Sequence, residues 1–242
     1  MSKYYYTKTN AALKRKVFRL FGLVIALTGM VSMTYFSFPI LSYYIYLKDV
    51  YAQTTFTTPI PQTTVLTNPS LVSLINASTT QLSGTDFTNA KNWFPNYSPE
   101  QTAPRVSHYT LSIPKLKITD AYVSTIDYNV GSHLINYGGT AVPPEKGNAV
   151  VFGHSTLPQF FNPNDYKTIF ARLHTLKTDD TIVVRANNKD YTYRVISMYV
   201  VEPNDFSPLT QKYDASYLTL ITCTPPGTIW QRLVVKAKLE EK

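Results

Sequence analysis

Cysteine is all but missing from this chain of 242 residues: Cys223 stands alone, so no intramolecular disulfide can form. Glycine is scarce, at 9 residues, whereas tyrosine reaches 19. Together with many Val, Ile and Thr positions, that balance favours strands over helices, and a mainly β domain is expected. There is no dense run of carboxylates like an EF-hand loop, so neither a metal nor any other cofactor is expected. No RNA- or DNA-binding motif occurs either. The net charge of +8 gathers in part at the N-terminus, where a membrane explains it better than nucleic acid does.

Long apolar runs are confined to that end. Lys3, Lys8, Lys14, Arg15, Lys16 and Arg19 make residues 1–19 a basic head, and residues 20–47, LFGLVIALTGMVSMTYFSFPILSYYIYL, carry no charge. The run is long enough to cross a hydrocarbon layer of ~30 Å as a helix, which Pro39 is placed to kink or end. The positive flank predicts a cytoplasmic N-terminus and an external remainder, with Tyr43, Tyr44, Tyr46 and Tyr51 suited to the outer interface. The competing reading is a signal peptide cleaved after Ala52. The apolar run exceeds the ~7–15 residues of such a signal, so a retained anchor is expected.

Residues 48–104 change character. Stretches such as TTFTTPIPQTTVLTNPS are rich in Thr, Pro, Ser and Asn without a sustained period, so a stalk is expected, with a short helix at Pro69–Ala77. Asn76-Ala77-Ser78 and Asn96-Tyr97-Ser98 fit a glycosylation sequon, a motif common by chance. Regular structure is expected over residues 105–242. Val106–Ile113, Ala121–Ile126, Ala149–His154, Thr181–Ala186 and Tyr191–Val201 have strand composition, and Asn187–Asp190 forms a hairpin loop. Lys167–Leu176 places Ile169, Phe170, Leu173 and Leu176 at helical spacing. So many strands with so little helix predict a closed or nearly closed β-barrel of about eight strands.

The stretch Tyr217–Leu239, YLTLITCTPPGTIWQRLVVKAKL, sets Cys223 at a strand end. Pro225, Pro226 and Gly227 turn the chain, and Arg232 opens the returning strand on the same rim. A lone cysteine is most often a small buried hydrophobe. A thiol at a loop-flanked strand end beside a fixed cation, on a domain placed outside the cell, points instead to nucleophilic chemistry. Four histidines are available as partners. His108 lies within a strand, His174 on the predicted helix and His133 in a loop, while His154 ends the run GNAVVFGHS at a rim and ranks first.

GNAVVFGHS, TLITC and RLVV, in that order and spacing, resemble the sortase family of membrane-anchored cysteine transpeptidases. The resemblance covers about Val106–Leu239 and includes LINYGGTAVPPEKGN and FARLHTLKTDDTIVV, with Asp179 where many members have glycine. It implies a sortase-like barrel in which Cys223, His154 and Arg232 are catalytic. It also implies cleavage of an LPxTG-like signal between Thr and Gly through a Cys thioester, and transfer to an amine of a cell-wall precursor or a pilin. The partners would be secreted proteins bearing a C-terminal sorting signal. Thr222 and Thr224 are candidates for substrate or oxyanion contacts. The loop Glu202–Ser216 corresponds to the family's recognition loop, where Phe206, Pro208 and Leu209 would wall an apolar pocket. No carboxylate is evident as a third member of the triad, and Asp165 and Asp180 are the candidates to orient His154. Some members bind calcium near that loop, but nothing in this sequence requires it. The lid that some members carry is poorly matched by Asp86-Phe87 and Asn92-Trp93-Phe94, for which packing of stalk residues on the barrel is the plainer expectation. No second membrane segment follows the last strand, which tilts the expectation toward general protein anchoring.

Two other classes compete. A non-catalytic, membrane-anchored β-barrel that binds envelope components is disfavoured because all three catalytic residue types are present. A different cysteine enzyme acting on the wall peptide itself, such as an L,D-transpeptidase or a thiol hydrolase, ranks lower, since the histidine-glycine-cysteine cluster of the former is absent around Cys223.

Overall fold

A computed structural model describes residues 11–46, 85–94 and 106–240. The chain divides into two compact units, Met1–Ile45 and Tyr46–Lys242. In the first, helix α1 spans Ala11–Tyr46, and its stretch Arg15–Phe38 is long and apolar enough to cross a membrane. Large side chains such as Phe18, Phe21, Val31 and Phe36 lie on its exposed surface, as a lipid-facing helix requires. Two of its hydroxyls are satisfied internally: Thr28 Oγ1 donates to the Val24 carbonyl at 2.8 Å and Thr34 Oγ1 to that of Met30 at 2.9 Å. Pro39 does not end the helix, which continues to Tyr46. The helix expected at Pro69–Ala77 and both sequons lie outside the described residues.

In the second unit eight strands close a barrel. They are β1 His108–Ile113, β2 Ile118–Ser124, β3 Leu134–Asn136, β4 Gly147–Phe152, β5 Thr181–Ala186, β6 Lys189–Val201, β7 Ser216–Thr224 and β8 Gln231–Leu239. Their order around the barrel is β1-β2-β3-β4-β7-β8-β6-β5, closed by β1 against β5. The pairs β2–β3 and β4–β7 are parallel and the others antiparallel.

Three expectations change. Lys167–Leu176 is not an α-helix but a ramp of i→i+3 turns ending in the 3₁₀ turn Leu173–Thr175. The Phe170 N–H is spent on the His154 carbonyl at 3.0 Å, which pins the segment to the exit of β4 and breaks the i→i+4 ladder. Its apolar spacing still buries Ile169, Phe170, Leu173 and Leu176. The β5–β6 loop is only Asn187-Asn188, with φ of 51° and 60°, because Ala186 pairs directly with Lys189. Strand β3 was hidden by its brevity: Leu134–Asn136 is too short to show an alternation.

Every residue of β4 and β7 is buried. Each face meets a different core, as parallel strands covered on both sides require. Ala149, Val151, Leu218 and Leu220 point into the barrel with side chains from all the other strands. Val150, Phe152, Ile221, Cys223 and Val234 belong to a second cluster outside the barrel wall. That outer face is roofed by Leu209 of the β6–β7 loop and by Ala90, Trp93 and Phe94 of the segment 85–94.

Candidate active site

The site is built where β4 and β7 end side by side. Their parallel register runs from Gly147↔Ser216 to Phe152↔Ile221, so two steps further His154 stands level with Cys223. Hydrogen bonds beyond the last ladder pair keep that register. The Gly153 N–H donates to the Ile221 carbonyl at 3.2 Å. Thr222 Oγ1 donates to the Gly153 carbonyl and Ser155 Oγ to the Cys223 carbonyl, both at 2.7 Å. Two hydroxyls therefore cross between the strand ends, one from the residue before Cys223 and one from the residue after His154. Gly153 itself cannot be replaced cheaply, because a Cβ there would meet Phe170 and Leu134 carbons at 2.5 and 2.6 Å.

Arg232 arrives by the hairpin. Cys223 pairs with Arg232 across β7 and β8, and its guanidinium Nη1 lies 3.8 Å from the Cys223 sulfur. The same nitrogen donates to the carbonyls of Ile229 and Gln231, and Nη2 donates to that of Trp93 at 3.1 Å. Nε is buried without a hydrogen-bond partner, and among the described residues no carboxylate forms an ion pair with this arginine. Trp93 covers the group: its ring centroid lies 5.6 Å from that of His154 and 5.5 Å from the Arg232 guanidinium carbon. Its indole N–H is satisfied by the Phe87 carbonyl at 2.8 Å. The segment is fixed to the barrel by bonds from Ala90 N to the Tyr128 carbonyl and from Val130 N to the Thr88 carbonyl. Residues 85–94 thus pack on the barrel, and they do so over the thiol.

This cover sets the charge states. Burial pushes the Cys223 thiol up, against the opposing pull of the Arg232 charge. Burial pulls the His154 imidazole down, with Asp86 working against it and Lys167 with it. Burial also lowers Arg232, while Cys223 and Glu202 raise it. Both shifts favour the uncharged forms of the sulfur and the imidazole while the site is covered.

The remaining expected residues fall in different places. Phe206 meets Phe94 at 6.2 Å between centroids, and Pro208 and Leu209 are buried in the turn Ser207–Leu209. The Thr222 hydroxyl is committed to Gly153, and Thr224 is buried at the last β7–β8 pair, opposite Gln231. Neither aspartate expected beside His154 bonds to it. Asp180 holds Lys115 and the Lys177 N–H, and Asp165 caps the Lys167 N–H. The carboxylate that acts electrostatically on His154 is Asp86. His108 and His133 pack on Tyr122 on another part of the barrel, stacked at 5.1 Å and edge-on at 5.6 Å. Sequence reasoning missed Ser155, whereas Asp86 and Trp93 were offered only as a poor match to a lid, and the structure sets Trp93 against His154 and Arg232.

Closed eight-stranded topology with a thiol, a guanidinium and an imidazole at one rim defines the class of this unit as a barrel with a covered thiol site. The particular family follows: residues 111–240 match the sortase domain, and the chain belongs to the sortase family, whose members are generally cysteine transpeptidases. It is 29% identical over 173 residues to Sortase SrtE1 of Streptomyces coelicolor, covering 65% of this chain and 46% of that one. With Sortase D of Bacillus subtilis the identity is 24% over 149 residues, covering 62% and 67%. The chain thus spans about half the length of the first of these relatives. Sortase A from Corynebacterium diphtheriae shares the fold with a TM-score of 0.51 at 25% identity, over 71% of this chain and 84% of that one. Sortase C-1 from Actinomyces oris does so with a TM-score of 0.50 at 20% identity, over 71% and 98%.

Proposed function

We propose that this protein is a membrane-anchored cysteine transpeptidase that cleaves an LPxTG-like sorting signal and transfers the acyl protein to an amine. Its donors are secreted proteins with a C-terminal sorting signal, and its acceptor is an amine of a cell-wall precursor or a pilin. Residues 1–19 lie in the cytoplasm, residues 20–47 span the membrane, residues 48–104 link to the barrel, and the catalytic domain of residues 105–242 works outside.

The observation that carries the reading is the Cys223–Arg232 contact. Burying a guanidinium without a carboxylate costs several kcal/mol, and a hydrophobic residue of similar volume would serve stability better. An arginine kept there beside a sulfur is explained by a developing negative charge that it must meet. Once segment 85–94 has moved, the Cys223 thiol passes its proton to His154, and the resulting thiolate attacks the carbonyl carbon of the signal's Thr. A C–S bond forms, and Arg232 donates to the oxyanion. Collapse breaks the C–N bond to Gly, and His154 as imidazolium passes its proton to the departing amine. The acceptor amine then attacks the thioester carbonyl, losing a proton to the imidazole. A new C–N bond forms and the thiolate leaves, so the enzyme is regenerated with no net redox change. Trp93 stands over His154 and Arg232 while Cys223 is buried beside them, so segment 85–94 must move before a peptide reaches the sulfur.

The full chain in detergent, mixed with a panel of sorting-signal peptides and an amine, tests this. The expected result is an amine-coupled peptide by mass spectrometry, abolished in Cys223→Ala and in His154→Ala. No product with any peptide would leave a binding module as the better account.

A further inference from the structure

Strand β4 begins before β3 can reach it. The β3–β4 pairs are only Ile135↔Phe152 and Asn136↔Val151, and one further bond runs from Tyr137 N to the Val150 carbonyl. In this register the main chain of Asn148 faces the same side as that of Val150, where no strand remains beside it. Gln211, from the β6–β7 loop, fills the gap with its side chain. Its Oε1 accepts from Asn148 N at 3.0 Å and its Nε2 donates to the Asn148 carbonyl at 3.0 Å, the two-point pattern of a neighbouring strand residue. Oε1 also accepts from Ala141 N at 3.4 Å, and Nε2 donates to the Leu209 carbonyl at 3.1 Å.

Asn148 answers with its own amide. Nδ2 donates to the carbonyls of Pro208 at 2.8 Å and Thr210 at 3.2 Å, and Oδ1 accepts from Thr219 Oγ1 at 2.6 Å. Asn148 and Thr219 are 1% and 0% exposed, so water cannot replace a lost partner without rearrangement. A buried polar network with every member satisfied holds one geometry, and removing one member strands the others. The carbonyls it grips belong to Pro208, Leu209 and Thr210, within or beside the turn that carries the apolar wall next to Phe206.

We propose that Gln211 is a positioning residue for peptide recognition: with Asn148 it clamps the Phe206–Leu209 turn to β4, so the apolar wall is formed before the sorting signal arrives. The proposal rests on the transpeptidase reading, in which that turn receives an apolar side chain of the signal. A preformed wall spares the substrate the cost of ordering a loop, so loss of the clamp must appear in binding rather than in chemistry.

The test uses the full chain in detergent with two variants, Gln211→Ala and Gln211→Glu. The second keeps the size of the side chain but replaces the Nε2 donor with a negatively charged acceptor, which the carbonyls of Asn148 and Leu209 repel. With a fluorogenic LPxTG peptide, both are expected to raise KM about tenfold while kcat stays within about twofold. Hydrogen exchange of residues 203–214 is expected to quicken at least about tenfold, with β7 and β8 unchanged. Unaltered KM in Gln211→Glu, a fall in kcat at constant KM, or unaltered exchange would each overturn the clamp. A wild-type chain that cleaves no peptide would overturn the transpeptidase reading instead, and exchange alone would then decide the clamp.

Discussion

The main-chain carbonyl of Trp93 accepts a hydrogen bond from Arg232 Nη2 at 3.1 Å, 139 residues away in sequence. The guanidinium assigned to a substrate oxyanion is thus already holding a peptide carbonyl from the chain's own N-terminal segment. Trp93 is fully buried and packs against Phe152 as well as against His154 and Arg232. Truncating a buried Trp costs about 3–5 kcal/mol, and here the loss falls on the docking of residues 85–94. Trp93→Ala is therefore expected to raise the rate of Cys223 alkylation by iodoacetamide at least about tenfold, with the barrel still folded by circular dichroism. An unchanged alkylation rate would mean that this segment does not guard the thiol.

The charge states give the covered form a pH window. Its thiol is raised, so the stability it contributes is present below the ordinary thiol value of 9.0 and is lost as pH rises through the higher covered-state value. Its imidazole is lowered, so that contribution is present above the ordinary 6.5 and is lost as pH falls through the lower covered-state value. The cover should hold best between 6.5 and 9.0 and loosen on either side. Alkylation followed against pH should give a thiol midpoint above 9.0 in the wild type and a lower one in Trp93→Ala, where burial is relieved and Arg232 remains. A wild-type midpoint below the ordinary thiol value would contradict the burial argument.

Much of the fold was legible because its signals are local. Strand composition and the Pro225-Pro226-Gly227 turn placed Cys223 and Arg232 on one rim, and the observed pair Cys223↔Arg232 follows that register. His154 was legible as a strand end after Gly153. What escaped depends on non-local contacts. The ramp at Lys167–Leu176 satisfies its apolar spacing without being a helix, because a carbonyl from β4 claims one of its N–H groups. Asp86 and Trp93 lie in a Thr/Pro-rich stretch whose composition carries no period, so pattern offered them only as a poor match to a lid and could not set Trp93 against His154 and Arg232. Gln211 looked like an ordinary polar loop residue, since its partners lie 63 and 70 positions away.

Arg232→Lys removes the planar fork while keeping a positive charge. A lysine ammonium cannot hold the carbonyls of Ile229, Gln231 and Trp93 and still face the sulfur in the same way. The variant is expected to lose about 100-fold in kcat, the scale of deleting one oxyanion donor. Wild-type turnover in Arg232→Lys would show that only charge matters at this position.

The crossed hydroxyls of Ser155 and Thr222 predict a gentler effect. Ser155 secures the carbonyl of Cys223 and Thr222 that of Gly153, next to His154, and loss of one such bond is worth about 1 kcal/mol. Ser155→Ala should lower kcat by several-fold with KM unchanged, and Ser155→Thr should restore most of it. A change in KM alone would place Ser155 in peptide binding instead.

The central claim is that Cys223 forms the acyl thioester. The 242-residue chain mixed with a sorting-signal peptide in the absence of amine, then analysed by intact mass and peptide mapping, tests it most directly. The account predicts an added mass equal to the acyl part of the peptide, mapped to Cys223, released by hydroxylamine and enhanced in Trp93→Ala. No adduct in either protein, or an adduct on any other residue, would contradict it.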